Sequence, residues 1–250
     1  MRLPCRPLAA AVLALATIGV RAGEVQVAVA ANFAQPLERL AAGFKAATGH
    51  TLKASAGATG KFHAQIAAGA PFEVLLAADD ETPRKLLAEG RAVPGSAFTY
   101  AIGRLVLWSA RPGVVDDQGA VLASGRFAHL AIANPKVAPY GAAALEVLRA
   151  RGLLEAVTPK LVTGESIAQT FQFVATGNAE LGFVALSQVA MPGKSAAGSH
   201  WLVPTSLYRA IRQDAVLLTA GEKNPAAVAL LAYLKSDAAR DMIRSFGYGP

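Results

Sequence analysis

Small polar residues stand at points along the chain where an apolar run gives way to a segment of helical period. Asn32 and Thr59 each follow such a run in the first half of the sequence. In the second half, Tyr140 lies in the turn "PKVAPYG" and Ile167 begins a helix after Gly164. Helix N-termini expose backbone N–H groups that bind anions, and hydroxyls or amides can add further donors. The pattern indicates a small-anion site built from both halves of the chain.

Each of these positions also has an ordinary structural interpretation, which the residues alone leave open. Asn32, with Gln35 three residues later, resembles a helix capping box. Thr59 can simply cap the helix that follows it, and Tyr140 is an equally good packing residue. Lys61 is the cation nearest to a predicted turn, and we expect it to face solvent.

Catalytic patterns are weak in this sequence. The four histidines are scattered, with neither a His-Glu-x-x-His spacing nor a Gly-x-Ser-x-Gly elbow. Asp79 and Asp80 are a possible carboxylate pair, but adjacent residues at a strand end point apart. Hydrolysis of anionic esters is therefore the remote alternative to binding, and the sequence predicts no enzyme.

Alternating strands and helices from Glu24 onward predict two α/β lobes with parallel sheets covered on both faces. The predicted strands are Val25–Ala30, Leu52–Ser55, Val74–Ala78, Arg104–Ser109, Leu130–Ala133, Leu161–Thr163, Leu181–Leu186 and Ala215–Thr219. Two further segments, Ala101–Leu105 and Tyr208–Gln213, are expected to cross between the lobes. Ligands of such folds bind outside the carboxyl ends of the strands.

Residues 1–22 are predicted to be a secretory signal peptide. Arg2 and Arg6 give a basic start, and the apolar run Leu8–Val20 is shorter than the roughly 20 residues of a membrane span. Cleavage after Ala22 would remove Cys5, the one cysteine of the chain. The mature protein is then expected to have neither a disulfide nor a cysteine-based metal site.

Charge argues against a nucleic-acid partner. The net charge of +7 falls to about +4 on removal of the signal, because three arginines leave with it. The remaining Lys and Arg residues form no run or stripe, whereas nucleic-acid-binding proteins usually cluster them with a recognition motif. We expect no nucleic-acid binding.

Several longer segments together carry a family resemblance. They are "VAVAANFAQPLERLAAGFKAATGH", "SAGATGKFHAQIAAGAPFEVLLAADDETPRKLLAEG", "FTYAIGRLVLWS", "NPKVAPYG" and "ELGFVALSQV". In this order they resemble the periplasmic molybdate-binding components of ABC transporters, over nearly the whole mature chain. The resemblance implies a two-lobed periplasmic binding protein of type II topology, with mostly parallel sheets flanked by helices and a ligand cleft between the lobes. Lobe I would comprise residues 23–102 and 211–250, and lobe II residues 103–210.

The resemblance also implies which residues contact the ligand. Carried over by motif, they are Ala31, Asn32, Thr59, Tyr140 and Ile167, the last through its backbone N–H. Many family members have serine at the positions of Asn32 and Thr59, and some have a tyrosine where Ala185 stands. Tyr140 would then supply that phenol from the other turn.

The implied function is capture of molybdate, with tungstate as a second ligand, in the periplasm. No cofactor is implied, and molybdenum would be present only as the bound oxyanion. The implied partner is an inner-membrane permease with its ATPase, and a monomer is expected because a cleft must open and close. Sulfate and phosphate stay open as alternative ligands. Phosphate would favour an acceptor carboxylate such as Asp79 or Asp80, while sulfate differs from molybdate in size.

Overall fold

The computed structural model describes residues 22–193 and 197–249. The predicted signal peptide, apart from Ala22, lies outside the described residues, as does Cys5. No helix in the described ranges is both long enough and apolar enough to cross a membrane.

The first lobe is a five-stranded sheet with helices on both faces. Its strands have the order β2-β1-β3-β10-β4. They are β1 (Glu24–Ala30), β2 (Thr51–Gly57), β3 (Val74–Leu76), β4 (Phe98–Gly103) and β10 (Ile211–Leu217). Its helices are α1 (Ala34–Thr48), α2 (Thr59–Ala67), α3 (Glu81–Ala88), α9 (Pro225–Leu234) and α10 (Asp237–Ser245).

The second lobe has the same construction, with strand order β7-β6-β8-β5-β9. Its strands are β5 (Leu105–Ser109), β6 (Leu130–Ala133), β7 (Leu161–Gly164), β8 (Leu181–Ala185) and β9 (Ser199–Leu202). Its helices are α4 (Val121–Ser124), α5 (Pro139–Ala150), α6 (Leu154–Val157), α7 (Ile167–Ala175) and α8 (Leu186–Val189).

Side-chain alternation along the central strands explains why helices cover both faces. Val25, Val27 and Val29 of β1 pack with α1, α9 and α10, whereas Ala28 faces α2 and α3. In the second lobe, Ile132 of β6 lies in the cluster with α5, and Ala131 lies in the cluster with α7. Strands buried on both faces are apolar throughout, which is the signal that the sequence carries.

The predicted α/β fold class is confirmed, and the sheets are mixed in direction. β1 pairs in parallel with β2 and β3, but β10 runs antiparallel to β3 and β4. Likewise, β6 is parallel to β7 and β8, while β5 is antiparallel to β8 and β9. The antiparallel strands are those next to the two chain crossings, where β4 leads into β5 and where β10 returns to the first sheet.

Gly141 is where α5 packs most closely against the second sheet. A Cβ atom at this position would overlap the carbonyl oxygen of Ala133 and lie 2.7 Å from its carbonyl carbon. Both atoms belong to the backbone at the end of β6, so they cannot move aside as a flexible side chain would. Glycine at this position therefore brings the start of α5 close to the carboxyl end of β6.

Replacing Gly141 with alanine should lower the free energy of unfolding by about 1 to 3 kcal/mol, because the new methyl group overpacks against backbone. Chemical denaturation of the purified protein measures the change. Gly23→Ala is the matched control, since its Cβ would meet neighbours no closer than 3.5 Å. Equal stability of the two variants would contradict the close-packing interpretation.

Candidate functional site

The carboxyl ends of strands from both sheets meet in one buried cluster. Ala30, Ala58 and Ala78 stand at strand ends or helix starts of the first lobe and belong to this cluster. The second lobe contributes Tyr140 and Ile167, among other residues. Ala31 is partly buried against the same cluster. Three of the five sequence-predicted contacts, Ala31, Tyr140 and Ile167, thus belong to this one cluster.

Thr59 is the first residue of α2 and is 1% exposed. Its Oγ1 accepts a hydrogen bond of 3.0 Å from the backbone N–H of Ala78. The helix cap is Ala58, so the interpretation of Thr59 as a capping residue is wrong. Because the hydroxyl oxygen is bonded as an acceptor, its proton is left to donate to another group.

Asn32 lies in the short 3-10 helix Ala31–Phe33 and is 1% exposed. Its Nδ2 donates to Gln213 Oε1 at 3.0 Å and to Tyr248 Oη at 2.9 Å. The capping-box interpretation of Asn32 and Gln35 is wrong, because α1 begins at Ala34 without a side-chain cap. Buried partners distant in sequence hold the amide instead. Its Oδ1 is buried and has no hydrogen-bond partner among the described residues.

Tyr140 is the second residue of α5, after Pro139 in the first helical position that suits proline. Its phenol is buried, and its Oη accepts a hydrogen bond of 3.0 Å from Gln213 Nε2. Burial raises the pKa of this phenol well above its usual value, and the neighbouring Tyr248 and Tyr208 raise it further, while the Gln213 hydrogen bond lowers it. The phenol is therefore neutral at physiological pH and keeps a proton to donate.

Ile167 is the first residue of α7, and the side chain of Ser166 caps that helix by accepting from Gln169 N. The carbonyl of Ile167 accepts a hydrogen bond from Gln188 Nε2 at 3.1 Å. Gln188 Oε1 in turn accepts from the backbone N–H of Ala185 at 3.0 Å. The start of α7 is therefore held by two side chains, Ser166 as its cap and Gln188 through the Ile167 carbonyl.

Sequence reasoning did not identify a set of buried polar residues that bond to these positions. Gln213 lies on β10, two residues from the buried Ile211 on one side and two from the buried Ala215 on the other. That alternation places a polar side chain on the inward face of a strand, and it is the signal that could have identified Gln213. Tyr248 is also buried, and its Oη donates to the carbonyl of Asn32 at 2.9 Å.

Several contacts join the two lobes across the cleft. The backbone N–H of Gly60 donates to the carbonyl of Val137 at 3.0 Å. Lys61 Nζ lies 2.7 Å from Glu165 Oε2, with side chains 47% and 61% exposed. Lys61 is exposed, as expected, and its amine also pairs with a carboxylate of the opposite lobe. These contacts describe a closed arrangement of the lobes.

A cleft of about 470 Å³ opens beside this junction, lined by carboxylates such as Asp79, Asp80 and Glu146 and by cations such as Arg209 and Arg212. The five predicted contacts do not line it. Asp79 accepts hydrogen bonds from the backbone N–H and hydroxyl of Thr82, at 2.7 and 3.2 Å. Burial raises the pKa of Asp79 despite these bonds. Asp80 pairs instead with Arg84 at 2.9 Å, so the two carboxylates do point to different partners.

The histidines do not come together. His50 is buried, and its Nδ1 accepts from the backbone N–H of Gly23 at 3.0 Å. His63 lies 3.0 Å from Glu89 on the surface. Within residues 22–193 and 197–249, no group of three or more His, Cys, Asp or Glu side chains is placed to hold a metal ion.

Comparison with known proteins gives a consistent result along almost the whole chain. Residues 25–249 match the family model described as bacterial extracellular solute-binding protein. The molybdate-binding protein ModA of Azotobacter vinelandii is 62% identical over 94% of this chain and 93% of its own length. Its namesake in Rhodobacter capsulatus is 56% identical over 91% of this chain and 88% of its own length.

A solved structure agrees with the sequence relatives. The periplasmic molybdate-binding protein of Azotobacter vinelandii superposes with a TM-score of 0.88 at 43% identity, covering 90% of this chain and 99% of that one. The matched proteins are solute-binding proteins, which confirms the non-enzymatic interpretation. The chain belongs to the bacterial extracellular solute-binding proteins and, within them, to the family of molybdate-binding proteins.

Proposed function

We propose that this protein captures molybdate, and also tungstate, at the junction of its two lobes through Ala31, Asn32, Thr59, Tyr140 and Ile167. The proposal rests on the hydrogen bonds of two buried hydroxyls. Thr59 Oγ1 and Tyr140 Oη each accept a bond from an N–H group, which leaves both protons to donate to an oxyanion. The relatives' names supply the identity of that oxyanion.

A donor-rich site suits an anion that carries no proton. Molybdate is fully deprotonated at neutral pH, so each of its oxygens is satisfied by N–H or O–H donors alone. Helix α2 begins at Thr59 and α7 at Ile167, while α5 begins one residue before Tyr140. Each helix end adds a favourable dipole interaction of about 0.3 to 1 kcal/mol at an exposed position and more when buried. An arginine clamp is not needed.

The alternative oxyanions fit the donor set less well or differ only in size. Hydrogen phosphate would need an acceptor for its proton, and the nearest predicted acceptor, Asp79, is already bonded to Thr82. Asp80 is paired with Arg84. Sulfate shares the charge and lacks the proton, so only the dimensions of the site separate it from molybdate.

The lobe boundaries and the cellular role form the second part of the proposal. We assign residues 23–102 and 211–250 to lobe I and residues 103–210 to lobe II. The two separate sheets support this division, although β4 of the first sheet extends one residue further, to Gly103. The protein acts in the periplasm after removal of residues 1–22, as a monomer whose lobes close on the ligand. It then delivers the anion to an inner-membrane ABC permease with its ATPase. No cofactor takes part.

Calorimetric titration of the ligand-free mature protein with molybdate, tungstate, sulfate and phosphate tests the proposed function. We expect tight one-to-one binding of the first two anions and at least about a hundredfold weaker binding of the others, a difference of about 2.7 kcal/mol. A preference for sulfate or phosphate would refute molybdate as the ligand and leave the site itself in place.

Replacing Thr59 with alanine should weaken molybdate binding by about 1 to 3 kcal/mol, because a donor to a charged oxygen is lost. The same titration measures this change. Thr176→Ala serves as the control, because its exposed hydroxyl donates to the Gln172 carbonyl and accepts from Asn178 Nδ2 at the far end of α7. Should Thr59→Ala bind as tightly as the control, Thr59 would be excluded from the site.

Replacing Lys61 with glutamine should weaken binding by at most about fivefold, because exposed ion pairs contribute roughly 1 kcal/mol or less. The loss should shrink as the salt concentration rises, since salt screens exposed charges. Arg240→Gln is a matched control, because Arg240 pairs with Asp237 within α10 and does not cross the cleft. An equal effect of both substitutions would show that net charge, and not the interlobe pair, is responsible.

A further inference from the structure

Gln213 lies between the proposed anion contacts of the two lobes. Its side chain is completely buried on β10. Its Nε2 donates to Tyr140 Oη at 3.0 Å, and its Oε1 accepts from Asn32 Nδ2 at 3.0 Å. Tyr100 Oη lies 3.0 Å from the Ala77 carbonyl oxygen and 3.0 Å from Gln213 Oε1, so it also contacts the Gln213 amide. One side chain thus connects a proposed contact of the first lobe to one of the second.

The direction of these bonds determines which protons stay free. Nε2 of an amide can only donate, so the Tyr140 proton cannot be used in its bond with Gln213. Both protons of Asn32 Nδ2 are used by Gln213 and Tyr248. The phenol of Tyr140 therefore keeps a proton for an anion, whereas the side-chain protons of Asn32 are already used.

Reversal of either amide alone would break the network. Turning only Gln213 would place its Nε2 against Asn32 Nδ2, so that two donors would face each other. Turning only Asn32 would bring its Oδ1 against Gln213 Oε1, so that two acceptors would meet. If both turned together, Gln213 Oε1 would take the Tyr140 proton and the phenol could no longer donate to an anion. The two amides act as a single unit.

We propose that Gln213 is a positioning residue of the anion site, which directs the Tyr140 proton towards the ligand without touching the ligand itself. The inference rests on the proposed capture of molybdate and deepens it. Gln213 lies on β10 of the first sheet and Tyr140 on α5 of the second lobe, so the bond between them crosses the junction of the lobes.

A double-mutant cycle tests the proposal, with molybdate as the titrant in calorimetry. We expect Gln213→Met and Tyr140→Phe each to weaken binding about tenfold, a typical loss for one hydrogen bond to a charged group. The double variant should be no more than about twofold weaker than either single one, because both changes remove the same donor. Gln172→Met and Tyr233→Phe, at an exposed glutamine and a tyrosine packed on Phe44, are the controls and should bind normally.

Gln213→Glu separates positioning from packing. Glutamate keeps the shape of glutamine, but burying its carboxylate also costs stability, so the free energy of unfolding of each variant is measured beside its affinity. A purely structural role predicts that the loss of binding follows the loss of stability. The proposal predicts a larger loss of binding for Glu than its stability accounts for, because a carboxylate would accept the Tyr140 proton and would also repel the dianion. If the Gln213 variants unfold, Tyr100→Phe replaces them in the cycle, with a loss of about two- to fivefold that disappears in the Tyr140→Phe background.

Three results would overturn the inference. They are additive effects in the cycle, a Tyr140→Phe variant that binds within about twofold of the parent, and a Gln213→Glu variant that binds like the parent. Failure of the unsubstituted protein to bind molybdate in the same titration would instead refute the proposed function on which the inference rests.

Discussion

A proton-free oxyanion can be taken out of water only where donors surround it, and this constraint accounts for much of the architecture. One helix end supplies too few donors to replace a hydration shell, so several helix starts must point to one place. Two parallel-strand units facing each other achieve this, because ligands of such sheets bind outside the strand ends. Thr59 from the first lobe and Tyr140 and Ile167 from the second stand at those ends.

The mixed direction of the sheets follows from the same requirement. A chain that builds two facing lobes must pass between them, and it does so after β4 and before β10. The strands beside these crossings run antiparallel to their neighbours. Gln213 stands on one of them, so the segment that joins the lobes also carries the amide that bonds to both. A strand that joins the two lobes therefore also belongs to the hydrogen-bond network of the proposed site.

Local sequence patterns were sufficient for the fold class and for the positions of most helices and strands. Strands such as β1 and β6 are apolar because both faces are buried, and α1 shows its inward residues at helical spacing. The short strand β9, with the sequence "SHWL", was missed because only Trp201 of its residues is buried. Short polar edge strands have little periodic signal.

Partners of the buried polar groups could not be predicted in the same way. A capping role was one of the two interpretations that the sequence left open for Asn32, because capping rules depend on neighbours in sequence. Its amide instead bonds to Gln213 and Tyr248, which are 181 and 216 residues away. Strand alternation indicates that Gln213 points inward, but no local pattern indicates that Tyr140, 73 residues away, meets it. The proposed contacts themselves came from the family resemblance, and they stay a proposal.

We propose that the anion lies at the junction of the two lobes, between Thr59 and Tyr140. Diffraction data collected at the molybdenum absorption edge, from crystals of the molybdate-bound protein, would locate the metal atom directly. We expect one anomalous peak whose surrounding oxygens lie within hydrogen-bond distance of Thr59 Oγ1 and Tyr140 Oη. A peak in the cleft beside Asp79 and Glu146, or none at the junction, would contradict this placement of the anion.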